Sequence, residues 1–260
     1  MRDAADHADA PAVADLATLV RRASSEGDTY LTPEGTQVVR AWIEGRPVLF
    51  CIRNPADRIQ RKHSRGRFYE PDELALIKAH FPRGGVFCDV GANIGNHSLY
   101  ALLYLGAAQA IVFEPNPGAY ELLIANLALN RVADRVDLSH LGYGLSDRDQ
   151  TGLQLQLHDN NLGATRLVAG AGEGGIAVRT GDAMLAGRRV DFIKIDVEGM
   201  EMAALRGLEA TIAACHPAIF LELEHDNRTD FLAWIEAQGY RLAHEGRRFQ
   251  HNQNLLILPQ

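Results

Sequence analysis

The stretch Val86-Phe87-Cys88-Asp89-Val90-Gly91-Ala92-Asn93-Ile94-Gly95-Asn96-His97 joins an acid and two spaced glycines to a run of apolar residues. The apolar run is predicted to form a short buried strand. The glycines would turn it into a helix reaching to about Leu105. A glycine turn that feeds a helix N-terminus lets a ligand approach the main chain and meet free N–H groups. A dinucleotide would need Gly-x-Gly-x-x-Gly for its pyrophosphate, and this turn lacks that triplet. Asp89, inside the strand end, would repel a pyrophosphate and suits a cationic, amino-acid-like ligand.

Asp-x-Gly-x-x-x-Gly resembles the first motif of S-adenosylmethionine-dependent methyltransferases. Ala110 to Glu114 reads as a second buried strand ending in an acid, followed by Pro115-Asn116-Pro117. An acid about 20 residues after the glycine turn is the usual ribose ligand in such folds. Glu114 has lone pairs enough for two ribose hydroxyls, and it equally suits capping the next helix.

These motifs need a sheet to position them. Residues 1–10 are expected to be disordered, and 13–23 to form a short amphipathic helix. Gln37–Trp42 and Pro47–Ile52 form a hairpin about Glu44-Gly45-Arg46. Arg53, Arg58, Arg61, Lys62, Arg65 and Arg67 then stand against one acid, Asp57. That stretch is either a solvated, mobile surface loop or an electropositive lid over an anionic acceptor. Pro71 opens a helix through Leu74, Ile77 and Phe81. Residues 1–69 are therefore read as an N-terminal extension, and 70–260 as the main domain. Gly118–Asn130 is a helix with Asn130 in a left-handed C-terminal position, and Arg135–Leu141 a third strand. Leu153–Leu157 and Ile176–Thr180, around a glycine-rich loop at 168–175, make a β-hairpin insertion in place of a crossover helix. Asp191–Asp196 and Ala218–Leu223 are core strands, with helices at 201–214 and 229–238 and a closing strand pair. The alternation gives an α/β doubly wound sheet.

At 260 residues and net charge −7, the chain suits one sizeable domain without a general nucleic-acid surface. Cys51, Cys88 and Cys215 are odd in number and lack metal spacing, which suits free thiols in the cytoplasm. The acidic, alanine-rich start has no apolar signal core, and no run approaches membrane-spanning length, so membrane insertion is not expected.

Ligands of open α/β sheets bind beyond the carboxyl ends of the strands. Here those ends carry Asp89, Glu114, Gly142, Asp196 with Glu198, and Glu222 with Glu224 and His225. One acid can meet an ammonium, one a ribose, and the rest an acceptor. His225, Glu198 and Asp196 are candidate bases; His225 has the most suitable intrinsic pKa, although a histidine after a strand is more often structural. Asp196, Glu198 and Glu222 could hold a divalent ion, but without tight ligand spacing no metal is assigned.

Four blocks, DVGANIGNHS, FEPNPGAYELLIANLALN, DFIKIDVEGMEMAALRG and HPAIFLELE, resemble the FkbM family of S-adenosylmethionine-dependent methyltransferases, and GRFYEPDELALI before them fits as well. The resemblance spans residues 66–224. It implies a class I methyltransferase Rossmann-like fold, with a hairpin insertion and a small N-terminal α+β extension. It implies S-adenosyl-L-methionine as cofactor, at Asp89, Gly91, Asn93, Gly95 and Glu114, to which Asn96 and Gly142 are added. It places Asp196 and Glu198 at the reaction centre and Glu222 at a matching strand end, with His225 as a further candidate. The implied reaction is O-methylation of a hydroxyl on a sugar, glycolipid, polyketide or related small molecule, with an anionic acceptor among the options. A nicotinamide-dependent oxidoreductase and a non-catalytic scaffold of the same fold are the rival readings. Oligomeric state stays open.

Overall fold

Neighbouring residues of each buried strand pack into opposite clusters, because successive side chains leave a strand on opposite faces. Phe87, Ala110, Val112, Phe192 and Phe220 join one cluster; Cys88, Val90, Ile111, Phe113, Ile193 and Ile195 join the other. The computed structural model describes residues 32–158, 161–169 and 175–260, so the expectations for 1–10, 13–23 and 170–174 fall outside the described residues.

The central sheet contains β3 (Val86–Val90), β4 (Gln109–Phe113), β5 (Val136–Asp137), β10 (Phe192–Ile195), β11 (Ala218–Glu224), β12 (Tyr240–Arg248) and β13 (Asn252–Pro259). Its order is β12-β13-β11-β10-β3-β4-β5. All neighbours pair in parallel except at β13, which runs antiparallel to both β11 and β12. The chain steps outward from β3 to β5, then returns to β10 on the other side of β3. That reversal opens a crevice at the carboxyl ends of β3 and β10.

Helices cover both faces. On one side lie α2 (Pro71–His80), α3 (Asn96–Tyr100, continued as a π-turn over Ala101–Leu105) and α4 (Pro117–Leu129). On the other lie α6 (Glu201–Arg206), α7 (Glu209–Cys215) and α8 (Arg228–Ala237). The single helix expected at 201–214 is thus two, interrupted at Gly207, where a Cβ would come within 2.0 Å of the Ser146 carbonyl. Asn130 does not take the left-handed position: its φ is −94°, and Arg131 at φ 57° makes that turn. Asn130 instead spends its amide on Leu49, accepting from the N–H and donating to the carbonyl.

The third core strand is shorter than its apolar run implied. It covers Val136–Asp137, with an isolated bridge between Glu114 and Leu141. The insertion is larger than a hairpin. β6 (Tyr143–Leu145), β7 (Gln150–Gln156), β8 (Arg166–Ala169) and β9 (Ile176–Arg179) form a separate sheet in the order β6-β9-β7-β8, leading into the short helix α5 (Gly181–Leu185). The strand β8 was missed because its flanking glycines and alanines masked it.

β1 (Gln37–Ile43) and β2 (Arg46–Ile52) form the expected hairpin, closed by Glu44 and Gly45 at positive φ, as a tight two-residue turn requires. The basic stretch after it is an anchored turn rather than a free loop. Asp57 is buried and accepts N–H bonds from Ile59, Gln60 and Leu162, capping α1 (Gln60–His63). His63 is buried and stacks on Phe50. Cys51, Cys88 and Cys215 are free thiols, and among the described residues no helix is long and apolar enough to cross a membrane.

Asn126 fastens the hairpin to the turn that follows β3. Fully buried, it accepts the Cys51 N–H at 2.6 Å and donates to the Ile94 carbonyl at 2.9 Å. Asn126→Ala strands both backbone groups, at a cost of about 1–3 kcal/mol for each group left unpaired. Thermal denaturation of the variant should show a clearly lower midpoint; an unchanged midpoint would mean that the bridge contributes nothing.

Candidate active site

Backbone crowding decides the shape of the turn after β3. Gly91 has φ 78°, and a Cβ there would sit 1.8 Å from the Asp196 carbonyl at the end of β10. The N–H groups of Gly91 and Ala92 both donate to the Phe113 carbonyl of β4. Asn93, at φ 50°, then aims its N–H at one oxygen of Glu114, and the Asn116 N–H takes the other, each at 2.8 Å. Burial pushes the Glu114 carboxyl up to about 7 even though these two N–H bonds pull it down.

The resulting cleft, about 820 Å³ with its mouth, is lined by Gly91, Asn93, Asn96 and Glu114, by Asp196 and Glu198, and by an apolar wall that includes Phe113 and Leu145. Three expected cofactor residues do not line it. Gly95 starts α3, with Leu123 packed close beneath it. Gly142 donates its N–H to the Glu114 carbonyl. Asp89 is fully buried, and its carboxylate accepts from the Ser98 N–H and hydroxyl. Its second oxygen faces Lys194 at 3.6 Å. These three support the cleft from behind. Asn96 lines it, yet its amide is occupied by the backbone of Tyr69 and by His63.

Acids crowd the other end. The turn after β10 carries Glu198 at φ 51°, followed by Gly199, whose N–H donates to Glu201. Glu198 is pushed up to about 7, chiefly by burial and then by Asp196. Glu222 is pushed up to about 9 by burial and by Asp196 and Glu198. Glu222 lies in an adjoining polar hollow that shares Tyr69, Glu70, Asp196 and Glu198 with the cleft and adds Arg58, Arg166 and Asn161. Of the basic residues at 53–67, Arg58 lines this hollow, beside Ile59. His225 lines neither the cleft nor this hollow: its Nε2 meets the Phe249 carbonyl, and it lines a shallow surface hollow that adjoins the polar one and shares Arg166 and Glu224 with it.

Among the described residues two trios have ligand atoms within 4.8 Å of one another: Glu70, Glu73 and His97, and Asp196, Glu198 and Glu222. In the first, the Asn96 NH₂ stands 3.5 Å from His97 Nδ1, and the buried His97 Nε2 has no hydrogen-bond partner.

Sequence reasoning passed over Tyr69, Glu70, His97 and Lys194, all of which line the cleft. Lys194 carried a signal. A lysine between Ile193 and Ile195, in a strand buried on both faces, must be paired. Glu70 carried none, since its approach depends on how α2 packs.

A family model described as the methyltransferase FkbM domain matches residues 89–242. The hexuronic acid methyltransferase AglP of Haloferax volcanii is 27% identical over 175 residues, covering 65% of this chain and 67% of that protein. Methyltransferase 1 of Beauveria bassiana is 27% identical over 193 residues, covering 64% and 76%. A crystal structure of methyltransferase FkbM from Methylobacillus flagellatus KT superposes with TM-score 0.48 at 20% identity, covering 67% of this chain but 43% of that one.

The clustered acids give stability a definite pH dependence. Glu114, Glu198 and Glu201 stand at about 7 and Glu222 at about 9, all above the ordinary 4.5. A raised folded-state pKa stabilises below the unfolded value and loses that contribution as pH rises through the folded value. Above about pH 7, where the buried histidines His63, His97 and His140 with their lowered pKa no longer titrate, the ligand-free midpoint of thermal unfolding should therefore fall toward pH 9, and Glu222→Gln should flatten that fall. A midpoint that rises across this range would contradict the assignment.

Proposed function

We propose how this chain, which belongs to the FkbM family of S-adenosylmethionine-dependent methyltransferases, uses its cleft: the donor binds along the ends of β3 and β4, and the methyl group passes to a hydroxyl of a sugar-like small molecule in the adjoining hollow. The observation that carries this reading is the position of Asp196 and Glu198 on the border between cleft and hollow. The cleft's residues fit the donor. Glu114 offers a carboxylate to ribose hydroxyls, Phe113 and Leu145 an apolar wall to a base, and Glu70 an acid to a sulfonium and an ammonium. A dinucleotide's pyrophosphate would meet those same acids unfavourably.

When bound, S-adenosylmethionine supplies an electrophilic methyl group on sulfur. The protein's share is alignment, exclusion of water and management of the acceptor's proton. Glu198, at about 7, is matched to take a proton near neutral pH, whereas Glu222, at about 9, holds its own. We therefore assign Glu198 as the general base and Asp196 as the residue facing the acceptor, with Glu222 shaping the hollow. Asp89, Gly91, Asn93, Gly95, Asn96 and Gly142 build the donor side, Asp89, Gly95 and Gly142 from behind. His225 has no part in this mechanism. No metal is assigned, and the cation these acids face is the donor itself.

Arginine, asparagine and carboxylate groups around the hollow suit a hydroxyl-rich acceptor better than a polyketide or lipid chain. The similarity to a hexuronic acid methyltransferase supports a sugar. The test is transfer of labelled methyl from S-adenosylmethionine to a panel of hexose, hexuronic acid and sugar-phosphate glycosides. A base-stable ether on a sugar supports the reading. A base-labile ester would move the reaction to a carboxylate, and labelling of polyketides alone would remove the sugar.

Glu114→Gln should weaken S-adenosylhomocysteine binding by about 1.5–3 kcal/mol, roughly ten- to a hundredfold, in calorimetry. Glu198→Gln should leave that affinity in place and lower turnover by roughly a hundredfold or more. Loss of affinity without loss of saturated turnover would exchange the two roles. Turnover should also survive EDTA; its abolition, with recovery on adding magnesium or manganese, would place a metal on Asp196, Glu198 and Glu222.

A further inference from the structure

In the parallel ladder Lys194 of β10 lies opposite Asp89 of β3, and its side chain is 3% exposed. Its Nζ is 2.9 Å from the Gly91 carbonyl, 3.3 Å from Asp196 Oδ2 and 3.6 Å from Asp89 Oδ1. An ammonium has three protons to give, and three oxygens stand around this one. The Gly91 carbonyl and Asp196 lie within hydrogen-bond reach and Asp89 Oδ1 just beyond it, so the ammonium is directed at the protein's own oxygens although it lines the cleft. Asp89 Oδ1 has no hydrogen-bond partner of its own, so this ammonium is what offsets its burial.

The three oxygens have different functions. Gly91 belongs to the turn on which the donor rests, Asp89 anchors that turn to Ser98, and Asp196 faces the acceptor side. Other charges face the same ammonium. Glu70 comes from the start of α2, Glu114 from the end of β4 and Glu222 from β11, while the buried His97 of α3 is held neutral. Burial alone would push the lysine's pKa down, but Asp196, Asp89 and Glu70 together raise it, so the charge is kept.

We infer that Lys194 is a positioning residue for methyl transfer, tying the Asp196 carboxylate to the Gly91 turn so that acceptor-side acid and donor keep a fixed relation. The inference rests on the reading that Asp196 faces the acceptor. Asp196 is about a third exposed at the cleft's border, and among the described residues Lys194 is the cation paired with it. Without that tie its carboxylate is free to rotate toward water. Misplacement of a reacting partner by an ångström costs about a hundredfold in rate.

The experiment compares Lys194→Met, Asp196→Asn and the parent chain, with the acceptor identified in the glycoside panel, in its unmethylated form, as substrate and S-adenosylhomocysteine as the binding probe. Lys194→Met should lose about a hundredfold in kcat while the probe's Kd moves by less than about threefold. Propylammonium, which matches the atoms removed, should restore part of the turnover of Lys194→Ala, and propanol of the same size should not. If Lys194→Met folds poorly, the pair Asp89→Asn with Lys194→Met removes the stranded charge and should show the same kcat loss. A crystal structure of either variant with S-adenosylhomocysteine reads the geometry without any acceptor and should show the Asp196 carboxylate turned away from Gly91. An unmoved carboxylate, an unchanged kcat, or a loss confined to probe affinity would each overturn the inference. Full turnover in Asp196→Asn would instead overturn the reading of Asp196 beneath it.

Discussion

Where β3 and β10 end, backbone meets backbone with no space for a side chain between them: a Cβ on Gly91 would overlap the carbonyl of Asp196. Two strand ends that border the cleft are thereby held at contact distance. The glycine turn hangs from one, and Asp196 and Glu198 from the other. Every distance in the cleft inherits this approach. It depends in turn on parallel pairing of β3 with β10, which exists because the chain reverses direction of travel across the sheet at that point.

Charge sets the second condition. Glu70, Asp196, Glu198 and Glu114 line one cleft, and Glu222 adjoins it. Burial pushes several of them toward the protonated form. Such a set is costly for an empty protein and favourable for one that receives a cationic ligand. A donor carrying a sulfonium and an ammonium meets that need, which is why the acids that weaken the free chain at high pH strengthen the case for this cofactor. The buried ammonium of Lys194 sits beneath them, so the cleft is acidic toward the ligand and compensated toward the core.

Much of this was legible in the residues because it is local. The glycine turn, the acid after β4 and the Asp-Val-Glu-Gly-Met-Glu block each lie within a few positions of one another. Their strands differ from the structure by a residue or two. What stayed hidden was set by distant packing. Asn126 reads as an ordinary helix residue and Asn130 as a left-handed helix end, yet both serve the backbone of β2. Asp89 reads as a ligand-facing acid, yet it faces Ser98 and Lys194. His225 has the right chemistry for a base, but the chain beyond β11 turns it to the Phe249 carbonyl. In the basic stretch the signs were legible and the directions were not: one buried carboxylate, Asp57, folds it into a capped turn, leaving Arg58 to reach the hollow.

The central claim is that this acid-lined cleft selects a sulfonium-bearing adenosine cofactor over a dinucleotide. Isothermal titration calorimetry of the parent chain with S-adenosylmethionine and with NAD tests it most directly. The account predicts one-to-one binding of S-adenosylmethionine and no heat from NAD at the same concentrations. Saturable binding of NAD with none of S-adenosylmethionine would contradict it.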